Sequence, residues 1–171
     1  MNLQENIRRI LREELNNQIE VYHISREPII DIDNRFLTKQ TRKDKPEGFW
    51  FTYETNKWED FMYNQTTRKL YKYKLTIDSS NFLILDTIEK LNEFNEEYES
   101  DSLFNEIYGA IWTGPNWKKV KRDYDGVEFP NYEELKKDID MLDDKNRWLT
   151  FIDVNSGCVW NSKAIKNIEE I

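Results

Sequence analysis

From Leu70 to Ile77 the chain alternates without a slip. Leu70, Lys72, Lys74 and Thr76 fall on one side, and Tyr71, Tyr73, Leu75 and Ile77 on the other. A period of two predicts a half-buried strand. Asp78-Ser79-Ser80-Asn81 then reads as a turn, because these side chains bond to nearby backbone. Phe82 to Asp86 is a continuous apolar strand, more deeply buried. Thr87 can cap a helix running to Tyr98, with Ile88, Leu91, Phe94 and Tyr98 on one face. Strand, turn, strand and helix in so short a stretch point to a sheet with helices laid against it.

The flanking sequence extends that pattern. Residues 2–20 read as an N-terminal helix, with Leu3, Ile7, Ile10, Leu11 and Leu15 at helical spacing. Val21 to Ser25 is strand-like and ends before Pro28. Residues 33–46 are polar and read as an exposed loop. Phe49 to Tyr53 is a further strand, and Trp58, Phe61 and Met62 suggest a short helix. Residues 99–123 read as helical pieces broken at Gly114-Pro115, with Asn116 capping a last helix that carries Trp117 and Val120. Asp125-Gly126 turns into a strand at Val127-Glu128-Phe129, closed by Pro130. Tyr132 to Leu142 reads as a helix or an excursion. Trp148 to Ile152 and Cys158 to Trp160 read as the last two strands, joined by a turn at Asn155-Ser156-Gly157. The strands are too closely spaced for a regular βαβ series, so the expected class is α+β, one domain over residues 1–171.

Composition narrows the chemistry. The chain has 171 residues, 14% of them aromatic, which is enough to bury a core despite 34% charged residues. A net charge of −8 repels phosphate backbones and disfavours non-specific nucleic-acid binding. The densest basic run, Lys118, Lys119, Lys121 and Arg122, reads as a solvated helix face. One cysteine, Cys158, excludes an internal disulfide, and with a single histidine no metal-ligand spacing exists, so no metal is expected. The polar N-terminus and the lack of a long apolar run predict no signal peptide and no membrane partner. The expected location is cytoplasmic (the host's, for a viral or effector protein). Neither a P-loop nor a Gly-x-Gly-x-x-Gly fingerprint is present.

Two short blocks carry the functional reading. Tyr22-His23-Ile24-Ser25 holds the only histidine, and Gly48-Phe49-Trp50-Phe51-Thr52 is an aromatic strand opened by a glycine. On plainer readings His23 is a satisfied strand histidine, and Phe49 and Phe51 are core. Trp50 points away from Phe49 and Phe51, since side chains alternate along a strand. Glu128 reads plainly as a solvent-facing strand glutamate. Functionally, it sits near a turn where a carboxylate can stabilise positive charge that develops in a reaction.

The paired blocks resemble the ADP-ribosyltransferase fold of the diphtheria-toxin and poly(ADP-ribose) polymerase type, the His-Tyr-Glu class. The resemblance implies split mixed β-sheets flanked by helices, with NAD as co-substrate. It implies that His23 holds the adenosine ribose and Ser25 helps to hold the nicotinamide ribose. Gly48 opens the second strand, Trp50 stacks on nicotinamide, and Tyr53 or Tyr63 supplies a second wall. Ile24 stands where the family often has glycine. A competing alignment takes Cys158 to Ile165 as the family's closing strand, which puts Ser156 at the usual glutamate position and leaves Glu128 or Asp153 for the role. The implied reaction transfers ADP-ribose from NAD to an acceptor, a protein rather than nucleic acid, and releases nicotinamide. The alternative is a non-catalytic protein-binding, inhibitor or accessory protein on the same fold.

Overall fold

The computed structural model describes residues 17–32, 40–41, 44–54, 58, 69–100, 104–105, 111–112, 114–139 and 143–171. Most of the helix expected over residues 2–20, the bulk of the 33–46 loop, and Phe61, Met62 and Tyr63 lie outside them.

Seven strands make one mixed sheet. In chain order they are β1 (Gln18–Ser25), β2 (Phe49–Thr52), β3 (Tyr71–Asp78), β4 (Phe82–Ile84), β7 (Gly126–Phe129), β8 (Ser156–Val159) and β9 (Ile165–Glu170). Across the sheet they run β4-β7-β8-β2-β1-β3-β9. Only β4 and β7 are parallel neighbours; every other pair is antiparallel. Two further short strands, β5 (Phe104–Asn105) and β6 (Ile111–Trp112), form a separate ladder where helical pieces were expected. Among the described residues, three full helices accompany the sheet: α1 (Ile88–Glu97), α2 (Trp117–Asp123) and α3 (Tyr132–Asp138). The Thr87 side chain accepts from the Lys90 amide, and that of Asn116 from the Lys119 amide, so both expected caps are in place.

Where expectation and structure differ, packing decides. Residues 18–20 are strand, because Ile19 and Val21 pair opposite Ile77 and Leu75 on β3. Trp148 to Ile152 is not a strand. A 3-10 helix spans Arg147–Phe151, which buries Trp148, Leu149 and the following Ile152 and leaves Thr150 and Phe151 exposed. Ser156 and Gly157 belong to β8 rather than to a turn. The last strand, β9, reads as polar in sequence. A bulge explains it: Ile165 pairs with Ile77, Asn167 with Thr76 and Ile168 with Leu75. The extra residue, Lys166, brings Ile168 back to the inner face despite its three-residue spacing from Ile165.

The sheet must curl. In a flat sheet, β3 and β4 would lie five strand spacings apart, about 24 Å. The chain from Asp78 to Phe82 spans at most about 14 Å. The two ends of the sheet are therefore folded towards each other, and Phe82 of β4 packs in one cluster with Ile77, Leu75 and Tyr73 of β3. Among the described residues, the main sheet is not split, since hydrogen bonding is continuous through β8 and β2.

Curling gives the sheet two unlike faces. The outer face is covered by the helices and holds Phe94, Trp117, Val127, Phe129, Tyr132, Trp148, Cys158 and Trp160. The inner face holds Val21, Phe51, Tyr73, Leu75, Ile77, Phe82 and Val159.

Candidate functional site

Glu128 is the most unusual residue of the inner face. Its neighbours Val127 and Phe129 belong to the outer core, so alternation turns Glu128 inward. It is fully buried, not solvent-facing as its plainest reading predicts. Gly157 on β8 pairs opposite it on one side and Ile84 on β4 on the other. Its Oε2 accepts a hydrogen bond from the Tyr53 hydroxyl. Two strand spacings, about 9.6 Å, separate β2 from β7. Gly157 is what keeps that gap open. A Cβ there would lie 2.3 Å from Phe51 Cζ and 2.7 Å from the Val127 carbonyl oxygen. Gly126 serves the same end, since a Cβ there would lie 2.5 Å from Phe82 Cζ. Two bare strand positions thus receive two flat rings, with Glu128 beside them.

His23 shares the inner face. Its ring lies 4.0 Å from that of Phe49 and 6.5 Å from that of Tyr73, centroid to centroid, and 6.3 Å from that of Trp58. Its Nδ1 is 2.6 Å from the Trp50 carbonyl oxygen. A carbonyl only accepts, so Nδ1 carries the proton and Nε2 is left as an acceptor. Burial pushes the pKa down to about 4, with the Trp50 hydrogen bond opposing, and the ring is neutral at pH 7.

The remaining candidates are held elsewhere. Trp50 faces the outer core, as strand alternation requires. Its Nε1 donates to the Pro46 carbonyl at 3.2 Å, and Lys45 Nζ lies 5.3 Å from its ring. Gly48 approaches β8 so closely that a Cβ would lie 2.5 Å from the Val159 carbonyl oxygen. Ser25 Oγ accepts from the Glu27 amide in a local turn. Ser156, at the head of β8, is buried and donates to the Val154 carbonyl at 2.8 Å, while Asp153 is exposed. The structure therefore joins Glu128 to Tyr53 directly and sets His23 on their face, but places Trp50 behind the sheet and gives Gly48 and Ser25 local roles.

Sequence reasoning did not find the Tyr53–Glu128 contact or the service of Gly157, because both join residues far apart in the chain. It also read the basic run as solvated throughout. Lys121 is in fact half-buried against the sheet, where desolvation lowers its pKa, and its Nζ donates to the Glu47 carbonyl. The spacing of Lys118, Lys121 and Arg122 was the available signal. Among the described residues no group of His, Cys, Asp and Glu is placed to hold a metal, and no helix is long and apolar enough to cross a membrane. Compared with protein-family models, curated proteins and solved structures, the chain matches none.

Proposed function

We propose that this chain is an NAD-dependent ADP-ribosyltransferase that moves ADP-ribose from NAD to a protein acceptor and releases nicotinamide. The observation that supports the reading is the fully buried Glu128 carboxylate, held by Tyr53 on the face that carries His23. A buried carboxylate is costly, and folds keep one where its charge is used. The hydroxyl that holds it belongs to a half-buried ring, so the carboxylate lies one side chain from the surface. In this reading Glu128 stabilises the positive charge that develops on the ribose as the glycosidic bond to nicotinamide breaks. Tyr53 fixes the carboxylate, and neutral His23 offers Nε2 to a ribose hydroxyl. The rings beside these groups are Phe49 and Tyr53, so stacking on nicotinamide passes from Trp50 to them.

A second reading, a non-catalytic protein-binding member of the same fold, is favoured by the local roles of Gly48 and Ser25 and by Ser156 at the head of β8. Incubation with NAD and chromatography of free nicotinamide separates the two. Wild type should release nicotinamide, and Glu128→Gln should lose at least about a hundredfold in rate. Equal rates in both would remove Glu128 from the mechanism. No release, together with no change in melting temperature on adding NAD, would leave the binding protein as the reading.

A further inference from the structure

The sheet's two edges are finished differently. At one end, β9 carries the charges of Lys166, Glu169 and Glu170 and is kinked by its bulge. Both devices keep an edge from pairing with another chain. At the other end, β4 has neither. It reads Phe82-Leu83-Ile84, pairs in even register with β7 and, among the described residues, has no strand on its outer side. The ladder fixes what that edge presents. The Leu85 amide donates to the Glu128 carbonyl at 2.9 Å, so Leu83 and Leu85 turn their backbone groups towards β7. Ile84, between them, turns its N–H and C=O outward, and among the described residues neither has a partner.

A cavity of about 330 Å³ lies along this edge. Phe82, Leu83, Ile84 and Leu85 all line it. Their side chains alternate between the two faces, so they can share one cavity only at the strand's edge. The far wall is α1, which presents Lys90, Glu93, Phe94 and Glu97 at i, i+3, i+4 and i+7 on one helix face. Phe94 and Tyr98, both buried, give it an apolar floor. The wall is acidic on balance. Lys90 is held by Asp86 at 2.6 Å. Glu93 and Glu97 are exposed and belong to no ion pair among the described residues. Lys119 Nζ donates to the Glu97 carbonyl at 2.8 Å, not to its carboxylate. Asp86, Glu93 and Glu97 therefore outnumber Lys90 and Lys119.

We propose that this edge binds an extended basic peptide as an added strand. The peptide backbone pairs with Ile84, an apolar side chain enters the cavity over Phe94 and Tyr98, and a lysine or arginine meets Glu93 and Glu97. In strand addition, main-chain hydrogen bonds supply affinity and side-chain pockets supply selectivity. A second copy of this chain fits less well. Two β4 edges laid together would set two acidic walls side by side, in a chain of net charge −8.

Fluorescence polarisation at low ionic strength, with a labelled hexapeptide of alternating valine and lysine, tests this. Wild type should bind the peptide saturably. The same peptide N-methylated at every amide keeps its charge but cannot donate to a strand, and should bind at least about tenfold more weakly. Glu93→Gln/Glu97→Gln, altered only at exposed positions, should bind about fivefold more weakly. Glu89→Gln/Glu96→Gln, the same change of charge on exposed α1 residues that do not line the cavity, should bind as wild type does. Absence of saturable binding by wild type would overturn the proposal. So would equal binding of the methylated peptide, which would rule out strand pairing, or an equal loss in Glu89→Gln/Glu96→Gln, which would mark a diffuse charge effect. A dimer of the free protein that the peptide dissociates would give the edge to a second copy and overturn the assignment to a basic partner.

Discussion

The two faces of one sheet are built on opposite terms. The outer face is a mosaic of rings. Trp148 lies 5.4 Å from Trp117, 5.6 Å from Phe94 and 6.0 Å from Phe129, and its Nε1 donates to Asn95 Oδ1 at 3.0 Å. Tyr132 donates to the Leu149 carbonyl, with burial raising its pKa to about 12. Among the described residues, the buried indole nitrogen of Trp117 stands there without a hydrogen-bond partner. The inner face instead admits a fully buried carboxylate and a histidine pressed into its neutral form. Shape complementarity dominates the first and titratable chemistry the second, so the same kind of perturbation should act differently on each.

The largest expected effect is on the outer side. Trp148→Ala should cost about 3–5 kcal/mol of unfolding free energy in a denaturant titration, as for a large aromatic removed from a packed core. A cost below about 1 kcal/mol would mean that the ring mosaic is not the main source of stability.

Acid should act on the inner side. Unfolded, the His23 ring takes a proton near pH 6.5; folded, only near pH 4. The folded pKa is depressed, so the unfolded state binds more protons between those values. His23 therefore contributes full stability above pH 6.5 and loses it as the pH falls towards 4, up to about 3 kcal/mol. The unfolding free energy of wild type should fall more steeply across that window than that of His23→Phe. Parallel curves would show that the ring is as easily protonated folded as unfolded.

A smaller effect tests how the inner face is assembled. Gly157→Ala should cost about 1–3 kcal/mol, because the new methyl meets the Phe51 ring and the Val127 carbonyl at once. If Glu128 is placed by this close approach, the same variant should also slow nicotinamide release. Loss of stability with an unchanged rate would separate the fold's need for glycine from that of the site.

Much of the frame was legible in the sequence, and the particular elements show why. The alternation of Tyr71–Ile77 and the Thr87 and Asn116 caps are local signals, and local signals survived folding. Trp148-Leu149-Thr150-Phe151-Ile152 misled because its residues favour strands, whereas burial at Trp148, Leu149 and Ile152 follows a helical turn. β9 was hidden by its bulge. For the site, alternation did place Trp50 opposite Phe49 and Phe51. No local pattern joins Tyr53 to Glu128, because their meeting depends on which strand comes between β2 and β7.

That intervening strand, β8, has a consequence in time. Among the described residues, its four buried residues are the only link in the sheet's order between the β4–β7 pair and the β2–β1–β3–β9 group. Ribosomes add about 5–20 residues per second, so on the order of ten seconds pass between the synthesis of β2 and that of β8. Until then the inner edge of β2 has no neighbour, and the carboxylate of Glu128 has no tyrosine across the gap. The sheet closes late and from its middle, and the candidate site is completed by the same event.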